Sequence, residues 1–170
     1  MNRIWRVISL IFLLGLVCAG GCSDDGGLRP PIMPVPDVPI EELSNAPVML
    51  EIGGYSFELE TYLWRDFMPI SPPDGKPLIS LIHVVEMNQE KIPEGFSAEY
   101  LWVLNDGKIW ATTFSDETRP PSPDYMQERV ARNGPKWGPN IKVDVVVGII
   151  TESRDLWLIR APDQWIYRTE

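Results

Sequence analysis

Residues 98–114 read AEYLWVLNDGKIWATTF, and this stretch decides the fold. Two runs rich in aromatic and β-branched residues, 98–104 and 108–114, flank Asn105-Asp106-Gly107. Asp-Gly supplies two positions that tolerate positive φ, which a tight type I′ turn requires, so the stretch reads as a β-hairpin. A two-residue turn at Asp106-Gly107 pairs Val103 with Trp110 and Trp102 with Ala111. Because side chains alternate along a strand, Trp102 and Trp110 then point to opposite faces. Only one of them faces a core, and the other is a candidate for the surface.

The same punctuation recurs on both sides. Upstream, Val48–Ile52 and Tyr55–Glu60 flank Gly53-Gly54 as a second hairpin. Residues 77–87 (PLISLIHVVEM) are apolar on both faces, as a central strand would be. Downstream, residues 141–151 (IKVDVVVGIIT) send Ile141, Val143, Val145, Val147 and Ile149 one way and Lys142, Asp144 and Val146 the other. That alternation predicts a strand with one face toward water, and Gly148 offers a bulge. Leu156–Ala161 and Gln164–Thr169 surround Pro162-Asp163 and read as one long kinked strand. Between Ser115 and Asn140 stand Pro120, Pro121, Pro123, Pro135 and Pro139, and Tyr125–Arg132 is either a short helix or, by preference, an edge strand.

Seven or eight short strands with no βα alternation predict an all-β domain over residues 48–170, built as an antiparallel two-sheet sandwich. The element order resembles an immunoglobulin-like or fibronectin-type-III-like domain in architecture alone, since the Cys…Trp…Cys signature is missing. Fold analogy does not carry function.

The chain opens differently. Arg3 and Arg6 precede Ile8–Val17 (ISLIFLLGLV), an apolar run half the length of the about 20 residues that span a bilayer. Cys18-Ala19-Gly20-Gly21-Cys22 follows. Charge, apolar run, small residues and cysteine in this order resemble the lipobox signal of bacterial lipoproteins, with Ala19 where leucine is usual. The resemblance implies that residues 1–21 are a cleaved signal helix and that Cys22 carries a diacylglycerol and usually a third acyl chain. Two or three chains anchor stably to a membrane. It also implies a cell-envelope location, facing periplasm or exterior, and Ser23 after the cysteine points to the outer membrane in a host with two. Residues 22–47 hold six prolines in the 25 positions after Cys22 and read as a disordered linker.

Composition narrows the chemistry. The formal charge of −9 becomes −11 once Arg3 and Arg6 leave with the signal, which disfavours nucleic acid as a partner. Cys18 is removed and Cys22 is acylated, so the mature domain would have no disulfide, thiol nucleophile or thiolate metal site. His83, the single histidine, sits in mid-strand and cannot build a histidine-rich metal site. No G-x-S-x-G, S-x-x-K or H-E-x-x-H occurs. No catalytic residue, metal or cofactor is therefore assigned.

Tryptophan is the unusual component. Apart from Trp5 there are Trp64, Trp102, Trp110, Trp137, Trp157 and Trp165, more than one sandwich core ordinarily holds. Trp64, Trp102 and Trp110 are the candidates for contact with a ligand or partner, whereas Trp137, in GPKWGP, reads as a structural plug. Three functions fit: a non-enzymatic binding or scaffold module for an envelope protein or glycan, a carbohydrate-binding module with a tryptophan platform, or an enzyme using an unrecognised carboxylate pair.

Overall fold

Alternation dominates the observed strands, and β-branched residues fill the inward positions. The computed structural model describes residues 34–117 and 120–170. The expected signal segment, Cys22 and linker residues 23–33 lie outside them. The elements run α1 (Ile40–Ser44), β1 (Leu50–Ile52), β2 (Tyr55–Asp66), β3 (Leu78–Glu86), β4 (Ser97–Asn105), β5 (Lys108–Thr113), β6 (Met126–Gly134), β7 (Lys142–Ile150) and β8 (Leu156–Thr169). The hairpin at 98–114 forms as read: Val103 pairs Trp110 and Trp102 pairs Ala111, with φ of 46° at Asp106 and 75° at Gly107. Tyr125–Arg132 falls largely on β6, which is an edge strand.

All eight strands join one sheet in the order β5-β4-β7-β8-β2-β3-β6, with β1 paired to β2 beside this path. The domain is all-β, but its pairing differs from two separate antiparallel sheets in an immunoglobulin-like order. The β2–β8 pair is parallel, matching Leu63 with Ile166 and Asp66 with Thr169. The physical reason is the length of β8. Its first part pairs with β7, and its 14 residues continue far enough to reach β2, so one strand carries the sheet around the core.

The kink expected at Pro162-Asp163 is a bulge. Val143 and Val145 of β7 pair with Gln164 and Ala161 of β8, one residue too many on β8, and Asp163 takes a φ of 59°. The extra residue reverses which side chains face inward. Ile159 and Ala161 face the core before it; after it, Ile166 does, and Trp165 and Tyr167 turn outward.

Inside the curl, Phe57, Leu63, Ile82, Val84, Leu101, Val103, Val145, Val147, Ile159 and Ile166 form the buried core. The edges β5 and β6 come together without a full ladder. Ser115 N–H donates to the Val130 carbonyl at 2.7 Å. Gln127 of β6 accepts from Ala98 N–H and donates to the Phe96 carbonyl, and Arg129 Nε donates to the Ala98 carbonyl. These side chains satisfy backbone groups that β4 leaves open beyond its pairing with β5.

A second buried cluster lies on the outer face of β4 and β7, where Leu43 and Ala46 pack on Tyr100, Trp102, Leu104 and Val146, with Val35, Val38 and Ile40 alongside. The Pro39 carbonyl accepts from Glu42 and Leu43 N–H to start α1. Acidic Glu41 and Glu42 in its first turn suit the positive end of the helix dipole. Two expectations change here. Residues 34–47 are not disordered linker but part of the compact unit Pro34–Glu170, and Pro47 accepts a hydrogen bond from Arg160 of β8. Likewise β7 does not half-face water, since its outward Val146 is covered. Polar and proline-rich residues masked a short apolar set, Val35, Val38, Ile40 and Leu43, that suffices to cover a valine-rich sheet face.

At one end of the curl a buried arginine ties the loops together. Arg65 is 3% exposed. Its Nε donates to the Lys76 carbonyl at 2.9 Å, Nη1 donates to Lys136 at 3.1 Å and Gly138 at 2.7 Å, and Nη2 donates to the Asp74 carbonyl. Burial pulls its pKa down, and the nearby Asp74 charge opposes that. A hydrogen bond from Lys76 holds the Asp66 carboxyl below its ordinary range, and Lys136 does the same for Asp74. Among the described residues no helix is long and apolar enough to cross a membrane.

Candidate functional site

Two aromatic surfaces remain after the core and the outer cluster are filled. The first is the outer face of the parallel β2–β8 pair. Strand alternation puts Tyr62 and Trp64 outward while Leu63 and Arg65 are buried, and the β8 bulge puts Trp165 and Tyr167 on the same side. Trp64 pairs in register with Tyr167. The Tyr62 ring lies 5.2 Å from both Trp64 and Tyr167, stacked on the latter. Trp165 is 46% and Tyr167 45% exposed, and Lys142 Nζ lies 5.5 Å from the Trp165 ring. Sheet hydrogen bonds hold these backbones, so the rings are positioned before anything binds.

The sequence candidates separate sharply in the fold. Trp64 belongs to this face, half-buried among its neighbours. Trp102 does not belong to any surface: it is the outward member of the pair but is 2% exposed beneath α1. Trp110 is the inward member of the pair and packs against the core, its ring so close to Gly134 that a Cβ there would stand 2.7 Å from it. Trp137 also packs on the core. The residues that replace Trp102 and Trp110 as surface rings are Tyr62, Trp165 and Tyr167. The signal for the last two was the Pro162-Asp163 kink, which shifts their parity, but no sequence feature locates β2 beside them.

On the same outer face, β2, β3 and β6 align Glu60, His83 and Glu128 in one cross-strand row. His83 Nε2 is 3.0 Å from Glu128 and Nδ1 is 3.5 Å from Glu60. The histidine is thus a rim residue held between carboxylates. Among the described residues no three histidine, cysteine or acidic side chains are placed to hold a metal ion.

The second surface is a cleft of about 570 Å³ where the β1–β2 turn, the loop ahead of β4 and the β7–β8 loop converge. Tyr55, Phe96 and Trp157 supply rings, and Glu94, Glu152 and Asp155 stand around them. All three acids are exposed, and a second cleft gathers Glu99, Asp116, Glu117 and Glu128 beside Arg129. No family model matches the chain, and neither the curated proteins nor the solved structures yield a match.

Proposed function

We propose that this chain is a lipid-anchored protein of the bacterial cell envelope whose all-β domain is a non-enzymatic binding module, with the Tyr62, Trp64, Trp165 and Tyr167 face as a platform for glycan. The observation that carries the reading is the contrast between the two halves of the sheet. The outer face of β4 and β7 is covered by the domain's own N-terminal segment. The outer face of β2 and β8 carries three exposed rings instead. The exposed large apolar residues of β2, β3 and the tail of β8 are Tyr62, Trp165 and Tyr167 alone. Each combines an apolar ring with a polar edge, which suits a hydrated, amphipathic ligand better than a dry aliphatic interface.

The anchor and the platform are tested separately. Growth with a clickable palmitate analogue is expected to label the wild-type protein and not Cys22→Ala; absence of label on the wild type ends the lipoprotein reading. For the platform, saturable quenching of tryptophan fluorescence by cell-wall oligosaccharides is expected. Changing Trp165 and Tyr167 to alanine together should weaken it at least about tenfold, in keeping with the loss of anchor-type aromatic contacts, and leave the unfolding midpoint nearly unmoved because both rings are exposed. A flat titration over a broad panel of glycans would remove this ligand class.

A further inference from the structure

We propose that the cleft at the mouth of the curled sheet binds an alkylammonium group. Tyr55 and Trp157 occupy inward-facing positions, two residues from buried Phe57 and Ile159 on their strands. They lie where the core ends, so their rings line open space: Trp157 is 39% exposed although its partner Ile149 is fully buried. Phe96 closes the floor. Its ring stacks on Phe57 at 4.3 Å, and Phe57 stacks in turn on Tyr55 at 6.3 Å, which fixes the aromatic wall to the core. The acidic side is built as closely, since a Cβ on Gly95 would stand 2.8 Å from that of Glu152, so only glycine lets the two loops meet.

The chemistry of the lining selects the ligand. Ring faces carry negative potential and attract cations, most strongly where a tryptophan is available. Glu94, Glu152 and Asp155 add negative charge, and no lysine, arginine or histidine lines the cleft. Among the described residues the carboxylates of Glu94 and Glu152 have no hydrogen-bond or ion-pair partner. An anion is repelled here, and a neutral ligand gains nothing from the charge of the carboxylates. A cation with an apolar body, an alkylammonium, satisfies both halves of the lining. The volume falls in the range of roughly 300–1,000 Å³ typical of small-ligand sites.

The group could come from a free small amine or from a lysine side chain of a protein. Calorimetric titration of the purified full-length protein with choline and with an N-acetyl-lysine amide distinguishes the two sources by which binds tighter. The uncharged isostere of choline, 3,3-dimethylbutan-1-ol, is the control. Saturable binding of at least one ammonium probe is expected, with the isostere about tenfold or more weaker. Trp157→Ala and Glu152→Gln should each reduce affinity by about tenfold, and both positions are exposed enough for the fold to survive. Equal binding of the uncharged isostere overturns the proposal, as does no saturable binding of either ammonium probe. Binding that survives both substitutions also overturns it. Because the oligosaccharide titration reads the β2–β8 face, failure there and failure here are separate results.

Discussion

Replacing Arg65 by methionine is expected to destabilise the domain by about 3–5 kcal/mol, the range for losing one partner of a buried charged network. Four carbonyls, those of Asp74, Lys76, Lys136 and Gly138, converge on the guanidinium. They belong to two different connections, β2 to β3 and β6 to β7, so a single side chain closes that end of the curl. Hydrogen bonds to a charged donor contribute about 1.5–3 kcal/mol each, and they are not additive within one network. Methionine fills much of the volume but leaves those acceptors without their donor. Lysine keeps the charge yet lacks the planar fork, so Arg65→Lys should recover only a minor part of the loss. Phe67 sharpens the expectation, because its ring lies 5.0 Å from the Arg65 guanidinium carbon and 4.1 Å from that of Arg168. Urea denaturation of wild type, Arg65→Met and Arg65→Lys gives the comparison; an Arg65→Met variant within about 1 kcal/mol of wild type would contradict the role assigned to this residue.

A loss of similar size, about 3–5 kcal/mol, is expected for Trp102→Ala, the range of large aromatic truncations in a core. Its ring is the largest fully buried side chain of the domain, enclosed between the β4–β7 face and α1. Removing it leaves a cavity against Leu43 and Val146 and loosens the only described segment that covers this face. The variant should therefore become sensitive to protease near residues 34–47 before the domain unfolds globally. Gly148 gives an independent check. A Cβ there would stand 2.9 Å from the Trp102 ring and 3.0 Å from Leu156, so Gly148→Ala alone should cost about 1–3 kcal/mol by overpacking. In a Trp102→Phe background that cost should fall, because the shorter ring vacates the clash. Strict additivity in the double-mutant cycle would show that the two residues do not meet in the folded protein.

These two residues also mark how far the residues alone carried the reading. The Asp106-Gly107 turn placed Trp102 and Trp110 on opposite faces, since a two-residue loop sets strand register by local geometry, but not which of them faces the core. The burial of Trp102 was not legible, because it depends on Val35, Val38, Ile40 and Leu43, which sit among prolines and acids and have no strand or helix period of useful length. Arg65 carried no signal at all. Its acceptors are backbone carbonyls 9 to 73 residues away, and a carbonyl looks the same at every position of a sequence. The candidate site divides in the same way. Trp64 was found by composition, whereas its neighbours Tyr167 and Trp165 arrive from the far end of the chain through a parallel pairing.

The residues by themselves determined the all-β class, the 98–114 and 48–60 hairpins and the long kinked final strand. Each rests on local information: side-chain alternation and turn residues that accept positive φ. Only the tertiary structure decided that β8 leaves β7 to run parallel with β2, that residues from Pro34 onward cover the outer face of β4 and β7, and which rings remain exposed. Those outcomes turn on one extra residue at Pro162-Asp163 and on which apolar faces meet in space. Burial is a property of pairs of surfaces, and a single strand's pattern names its apolar face without naming what will cover it.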